Sequence, residues 1–154
     1  FGNEVINLMP TNMYGPFDNF TELDSHVIPG LIHRMHLAKE NKDPSFEIWG
    51  TGSPLREFMY VDDLGYAIEF LLDKKVNDNL INVGTGEEIS VMNLAIKIKE
   101  IIGYKGEISN DLDKPDGNPR KLLDSSLINS MGWKSQVILD DGLVKTYDWY
   151  RSNI

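Results

Sequence analysis

The sequence predicts an α/β fold, and three observations support this prediction. Short apolar segments rich in β-branched and aromatic residues alternate with longer segments whose apolar residues recur at helical spacing. Turns rich in glycine, proline and asparagine separate these segments. The chain of 154 residues is 41% hydrophobic and 25% charged, which is typical of a globular protein that buries a core. Because no repeat or linker interrupts it, we expect one or two small domains fused into one body.

The first predicted elements are a strand, a loop and a helix. Residues 4–9 are short and apolar, which favours a strand, and residues 10–19 are rich in turn formers. A strand that ends in such a loop often ends at a ligand crevice. A helix is predicted over residues 25–40, because apolar residues recur at helical spacing and Pro29 falls in the first turn, where its missing N–H does no harm.

Two further strands and a second helix follow. Residues 46–49 and 58–61 contain aromatic and β-branched residues and predict strands on either side of a glycine-rich turn. Asp62 and Asp63 suit the start of a helix, where acidic side chains cap N–H groups and interact favourably with the helix dipole. We favour this capping role over a catalytic pair of carboxylates.

The second half of the chain continues the alternation. Residues 80–83 predict a buried strand, and the helix after it should be capped by Ser90 and end at Gly103. The remaining predicted elements are a loop over residues 109–120 and helices over residues 125–131 and 140–151.

Charge and composition exclude several classes of function. Fifteen basic and twenty-four acidic residues give a net charge of −9, which argues against generic binding to nucleic acid or to an anionic membrane. An anionic ligand must therefore be held by a few local cations. The chain has no cysteine, so it has no disulfide or thiolate metal site, which fits a reducing cytoplasm. No apolar run approaches the ~20 residues of a membrane span, and no signal peptide is evident.

A glycine-rich turn at residues 84–86 has two interpretations. Glycines between a strand and a helix allow a phosphate to approach the helix N-terminus. However, the third glycine of the dinucleotide-binding fingerprint is missing, and Glu87 and Glu88 would repel a phosphate. We therefore favour a plain turn that connects two elements.

The segment from Trp49 to Arg56 also leaves two interpretations open. Trp49 suits packing against a sugar or base, and Arg56, beyond the turn, suits bidentate pairing with a phosphate. The alternative is a hairpin with a core tryptophan and an arginine in solvent.

Other basic and imidazole side chains are less specific. His33 and His36 lie on a predicted helix, and we favour a packing or surface role for both, so no metal site is predicted. Residues 114–117 and 120–121 form a basic cluster beside a loop, and it suits either a diphosphate contact or a solvated turn.

Several motifs, taken in order, resemble the C-terminal half of the GDP-L-fucose synthases, epimerase-reductases of the extended short-chain dehydrogenase/reductase superfamily. The general signals of nucleotide-sugar epimerases and dehydratases are Arg56-Glu57-Phe58, Tyr60-Val61-Asp62-Asp63 and Asn82-Val83-Gly84. The discriminating motifs are Pro10-Thr11-Asn12, Asp18-Asn19-Phe20, Ser25-His26-Val27-Ile28-Pro29, Lys114-Pro115-Asp116-Gly117 and Pro119-Arg120-Lys121-Leu122-Leu123-Asp124. The resemblance covers nearly the whole chain.

The resemblance implies both a fold and a reaction. Residues 1–154 would hold the last parallel strand or strands of a Rossmann-type NADP domain together with a small α/β GDP-sugar-binding domain. The family converts GDP-4-keto-6-deoxy-D-mannose to GDP-L-fucose by epimerisation at carbons 3 and 5 and NADPH-dependent reduction of the 4-keto group. It also implies a cytoplasmic homodimer whose contacts come mainly from helices of the preceding half.

The resemblance assigns roles to individual residues. The residues expected against the nicotinamide end of NADP are Pro10, Thr11, Asn12, Met13 and His26. His26 is also expected to be the acid of epimerisation, because an imidazole near neutrality donates a proton readily. The residues expected to contact the GDP-sugar are Arg34, Trp49, Arg56 and Asp116.

Other groups that the family uses do not occur in this sequence. These are the glycine-rich turn that holds the cofactor pyrophosphate, the serine and the Tyr-x-x-x-Lys pair of hydride transfer, and the cysteine base. The first residue is Phe and a strand-like segment follows at once, so the chain is expected to begin inside a fold and to be inactive alone. Two alternatives stay open: a fragment of another nucleotide-sugar epimerase or dehydratase, and a non-catalytic sugar-nucleotide-binding module.

Overall fold

A computed structural model describes residues 5–21, 24–76 and 79–154. Its strands are β1 (Asn7–Pro10), β2 (Asn12–Tyr14), β3 (Ser45–Trp49), β4 (Leu55–Tyr60), β5 (Leu80–Val83), β6 (Glu88–Ser90), β7 (Glu107–Asp111) and β8 (Arg120–Lys121). Its helices are α1 (Val27–Asn41), α2 (Val61–Leu72), α3 (Val91–Ile102), α4 (Ser126–Ser130) and α5 (Leu139–Asn153). Among these described residues, no helix is both long and apolar enough to cross a membrane.

The strands form small, mainly parallel sheets that bring distant segments together. Strand β1 pairs with β5, and β3 pairs with β7, both in parallel. Strand β4 is central to the third sheet, where β2 and β8 run parallel to it and β6 runs antiparallel. Parallel pairing requires crossover connections, and helices supply several of them here. The predicted α/β class is confirmed.

The larger group of buried apolar residues, the main cluster, lies between α1, α3, α5 and strands β2, β3 and β4. Helix α3 shows why these segments are helical. Its apolar residues recur on one face, the Ser90 side chain accepts a hydrogen bond from the N–H of Asn93 at 3.1 Å, and Gly103 ends it at φ 74°. Both ends of this helix were predicted from the sequence.

A smaller group of buried residues, the second cluster, lies between the β1–β5 sheet and helices α2 and α4. Ile81 and Val83 of β5 face it and are fully buried. The opposite face of the same sheet carries Met9 and Leu80, which are 49% and 54% exposed. The sheet is therefore covered on one side only in the described part of the chain.

The predicted strands and helices are largely observed, but the predicted loops are shorter. The first strand lies at Asn7–Pro10 rather than 4–9, and residue 4 is outside the described residues. Strand β2 occupies part of the predicted loop 10–19, because its backbone pairs with β4 in spite of its turn-forming composition. The predicted loop 109–120 is wrong at both ends, where β7 and β8 pair with β3 and β4.

Asp62 and Asp63 lie at the start of a helix, as predicted, but the prediction that they cap it is wrong. The N-cap of α2 is Tyr60, which makes no side-chain cap, and both aspartates lie in the first helical turn. The fully buried Asp63 carboxylate instead accepts hydrogen bonds from the N–H groups of Gln136 and Val137, at 2.8 and 3.2 Å. It thereby anchors the segment that leads into α5.

Candidate functional site

Two cavities meet on one surface of the main cluster. The larger has a volume of about 640 Å³ and the smaller about 290 Å³. His26, Val27 and Arg56 line both. These residues come from the start of α1 and from β4, so the junction depends on how the helix packs against the strand.

The larger cavity contains most of the residues predicted to face the nicotinamide. Thr11, Asn12, Met13 and His26 line it, whereas Pro10 does not, because it is the last residue of β1 and pairs with Val83. The Thr11 hydroxyl and the Asn12 amide both donate to the backbone carbonyl of residue 57, at 3.3 and 2.7 Å. These two side chains are therefore fixed against β4.

His26 occupies the junction of the two cavities. It is the N-cap residue of α1, with an extended backbone at φ −67° and ψ 171°, and its side chain makes no capping hydrogen bond. The residue is exposed. Its imidazole is therefore accessible from the cavities, as an acid that donates a proton to a bound molecule must be.

Arg56 is held at the junction by backbone carbonyls. Its Nη1 donates to the carbonyls of Leu55 and Asn118, at 2.8 and 2.6 Å. The residue is half-buried and lines both cavities, so it is not an arginine in solvent. Since β3 and β4 pair with other strands and not with each other, the hairpin interpretation is wrong.

Trp49 lies on the rim of the smaller cavity beside two cations. Its side chain is 60% exposed, so it is not a core tryptophan. The Arg34 guanidinium lies 5.6 Å and the Lys114 ammonium 5.8 Å from the indole ring. Arg34 also lies 5.2 Å from the ring of Phe46. An exposed indole between cations suits stacking on a planar, anionic ligand.

Asp116 lines the smaller cavity, but its carboxylate already has protein partners. One oxygen accepts from the Thr51 N–H at 2.9 Å and the other from the Thr51 hydroxyl at 2.7 Å. Gly50, with φ 69°, lets the backbone approach this carboxylate where a Cβ would collide with it. Asp116 thus fixes the glycine-rich turn that follows Trp49.

Lys121 belongs to the basic cluster for which the sequence left a diphosphate contact and a solvated turn open, and it was not among the residues expected to contact the GDP-sugar. It lines the larger cavity, and its ammonium donates to Asn12 Oδ1 at 3.3 Å. Its neighbour Arg120 instead forms a bidentate pair with Glu88, and these hydrogen bonds lower the pKa of the Glu88 carboxyl. Successive residues of a strand point to opposite faces. Had residues 120–121 been predicted as a strand, the sequence would have indicated that Arg120 and Lys121 face different sides and have different partners.

Two other sequence motifs have structural roles. His33 and His36 are hydrogen-bonded through Nδ1 to the hydroxyls of Tyr150 and Tyr147, at 2.8 and 3.1 Å, and so join α1 to α5. The N–H of Gly86 donates to the Glu57 carboxylate at 2.8 Å. Both observations agree with the packing and plain-turn interpretations that we favoured.

The cavities combine cations with apolar walls. Among the described residues, Arg34, Arg56 and Lys121 supply positive charge at this surface of a chain with net charge −9. Met13 and Pro29 supply apolar contact area in the larger cavity. Its volume lies in the range of cofactor and ligand pockets, and a ring with an attached sugar would fit it.

Comparison with known proteins gives a family and several relatives. Residues 1–84 match the NAD dependent epimerase/dehydratase family. The chain is 51% identical over 153 residues to the probable GDP-L-fucose synthase 1 of Oryza sativa subsp. japonica, covering 99% of this chain and 47% of that protein. It is 41% identical over 162 residues to the GDP-L-fucose synthase of Escherichia coli strain K12, covering 99% of this chain and 50% of that protein.

Solved structures show the same architecture. The crystal structure of a GDP-L-fucose synthetase from Naegleria fowleri bound to NADP is 28% identical, with a TM-score of 0.90 over 96% of this chain and 47% of that chain. The resemblance inferred from the motifs is confirmed. The chain spans about half the length of the relatives that it matches.

Proposed function

The chain belongs to the NAD dependent epimerase/dehydratase family, and from this membership we propose that it is the GDP-sugar-binding part of a GDP-L-fucose synthase. The whole enzyme would convert GDP-4-keto-6-deoxy-D-mannose to GDP-L-fucose by 3,5-epimerisation and NADPH-dependent 4-keto reduction. The observation that carries this proposal is the meeting of two cavities at His26 and Arg56. The larger cavity suits the nicotinamide end of NADP, and the smaller cavity suits the nucleotide part of the substrate.

In this proposal the smaller cavity binds the GDP part of the substrate. The exposed Trp49 indole would pack against a flat or apolar surface of the ligand, with Arg34 beside it. Arg56 at the junction and Lys121 in the adjoining larger cavity occupy paired positions on the neighbouring strands β4 and β8, so their charges suit a diphosphate that lies at the junction of the two cavities. Binding there would direct the sugar toward the junction.

The larger cavity would hold the nicotinamide end of NADP, with Asn12 and Met13 on its wall. When bound, NADPH supplies the hydride for reduction of the 4-keto group. His26 would donate a proton to carbon 3 or 5 of the sugar, on the face opposite the base that removes the original proton. That base is proposed to come from the part of the enzyme outside this sequence.

We also propose that residues 1–154 form the C-terminal half of that enzyme, beside a dinucleotide-binding half. The one-sided β1–β5 sheet supports this division, because parallel strands are normally covered on both faces. The relatives are about twice as long as this chain, so the other half of such a protein is large enough to cover the exposed face of the sheet. A cytoplasmic homodimer is the proposed form of the whole enzyme.

A chimera tests the proposed activity. Residues 1–154 are joined to the N-terminal half of the rice relative, which is 51% identical over the shared region. We expect NADPH consumption with GDP-4-keto-6-deoxy-D-mannose, followed by absorbance, and protection from thermal unfolding by GDP rather than UDP. A folded chimera without turnover would refute the proposal, and protection by UDP would indicate another nucleotide-sugar enzyme.

The variant His26→Asn tests the proposed acid. Asparagine keeps a polar side chain of similar size but does not donate a proton as an acid, so epimerisation should fall roughly 100-fold or more. Unfolding temperature and GDP affinity should change little, because the His26 side chain is exposed and makes no capping bond. Normal exchange of the protons at carbons 3 and 5 with solvent deuterium in this variant would contradict the assignment.

A further inference from the structure

We propose that Glu57 is a positioning residue that sets the spacing of the diphosphate-binding cations Arg56 and Lys121. This inference rests on the proposed function. Glu57 is fully buried in β4, immediately after Arg56, and it contacts neither cavity. Its effect on a ligand must therefore pass through other residues.

The Glu57 carboxylate joins two segments that are distant in sequence. One oxygen accepts from the N–H of Gly86 at 2.8 Å, and the other accepts from the N–H of Leu123 at 3.1 Å. Gly84 lies so close that a Cβ at that position would collide with the carboxylate. The surroundings are therefore built for a carboxylate that accepts one hydrogen bond on each oxygen.

The bond to Leu123 adds to two other restraints near β8: Arg120 pairs with Glu88, and the Asp124 carbonyl accepts from Asn82 Nδ2 at 3.0 Å. This strand contains two residues, Arg120 and Lys121, and its pairing with β4 is correspondingly short. The neighbouring contacts to β4 are the Leu55 N–H to the Pro119 carbonyl at 2.9 Å and the Arg56 guanidinium to Asn118. The Glu57 carboxylate thus ties the chain just beyond Lys121 directly to β4, the strand that carries Arg56.

The backbone of residue 57 restrains the same cation from another direction. Its carbonyl accepts from Asn12 Nδ2 at 2.7 Å, and Asn12 Oδ1 accepts from the Lys121 ammonium at 3.3 Å. Lys121 is therefore held at its side chain through Asn12 and at its backbone through Leu123. Both restraints converge on Glu57, one residue from Arg56.

The chain contains a matched control in Asp63. This carboxylate is also fully buried, and it also accepts from two backbone N–H groups, those of Gln136 and Val137. It lines neither cavity. Asp63→Asn and Glu57→Gln each replace a buried carboxylate by an amide whose NH2 faces an N–H donor, so both should lower stability by a similar route.

The first test needs no ligand. Amide hydrogen exchange is measured on the chain alone as wild type, Glu57→Gln and Asp63→Asn. Glu57→Gln should raise the exchange rate in residues 120–124 and 84–86 by roughly tenfold or more, and Asp63→Asn should raise it in residues 136–137 instead. Equal exchange at 120–124 in the two variants would overturn the proposal.

The second test measures GDP affinity of the chimera by calorimetry. Glu57→Gln should weaken GDP binding by roughly tenfold, whereas Asp63→Asn should leave it within about twofold at the same temperature below unfolding. Unchanged affinity in folded Glu57→Gln would overturn the proposal. If the wild-type chimera binds no GDP, the proposed function fails, and the exchange experiment alone decides the role of Glu57.

A third variant covers the case in which Glu57→Gln does not fold. Glu57→Asp keeps the charge but shortens the side chain by one CH2, so the carboxylate reaches one of its two N–H partners. Exchange at 120–124 should then be faster than in wild type, and GDP affinity should be weaker. Both changes should be smaller than those expected for loss of both hydrogen bonds. Wild-type behaviour in both measurements would overturn the proposal.

Discussion

The main cluster and the second cluster differ in how completely this chain covers them. Three helices and three strands surround the main cluster, and both cavities lie on its surface. The second cluster lies under a two-stranded sheet whose other face exposes Met9 and Leu80. The chain therefore covers the main cluster on most sides and leaves one face of the β1–β5 sheet open, which agrees with the proposed C-terminal half.

Truncation of a buried side chain in the main cluster is expected to have a large effect. Ile98→Ala removes a fully buried side chain from α3, so the free energy of unfolding should fall by about 2–5 kcal/mol. Ile96→Ala, two residues earlier on the exposed side of the same helix, should cost under about 1 kcal/mol. Urea denaturation of both variants measures the difference, and similar losses would show that α3 does not pack as described.

The helices were predictable because their signals are local. In α3 the apolar spacing, the cap Ser90 and the stop at Gly103 all lie within one segment, and each is observed. Strands β2, β6, β7 and β8 were missed, because their existence depends on pairing with β3 or β4 far along the chain. From composition alone, such short polar segments are predicted to be loops.

The candidate site shows the same limit. His26, Arg34, Trp49 and Arg56 were assigned to the site from the family resemblance, and all of them line the cavities. No role was predicted for Glu57, which occurs in the motif Arg56-Glu57-Phe58. The sequence does not show that its carboxylate is buried or which backbone N–H groups donate to it. Side-chain chemistry is readable from sequence, whereas the partners of a side chain are set by tertiary pairing.

A second difference between the clusters concerns alkaline pH. Five of the six tyrosines, Tyr14, Tyr60, Tyr104, Tyr147 and Tyr150, belong to the main cluster. Burial, the largest cause for each, raises the pKa of every one of these hydroxyls. The folded chain therefore binds more protons than the unfolded chain once the pH exceeds the ordinary tyrosine pKa, and stability is lost as pH rises.

The expected loss begins near pH 10 and grows by up to about 1.4 kcal/mol per pH unit for each tyrosine that stays protonated in the folded chain. Urea unfolding at a series of pH values from 8 to 11 measures it. Tyr104→Phe should reduce the slope, whereas Tyr66→Phe, at an exposed position outside the cluster, should leave it unchanged. A flat profile through this range would contradict the burial of these hydroxyls.

The smallest expected effect is at the open face of the β1–β5 sheet. Leu80→Lys places a charge on the exposed face, so in the chain alone the free energy of unfolding should change by about 0.5 kcal/mol or less. Its neighbour Ile81 points into the second cluster and is fully buried, so Ile81→Lys should be strongly destabilising.

In the chimera, where the N-terminal half would cover this face, Leu80→Lys should also become destabilising, because its ammonium group would be buried without a partner. If Leu80→Lys stays neutral in a folded, active chimera, the rest of the enzyme does not cover this face, and the proposed division into two halves needs a different interface.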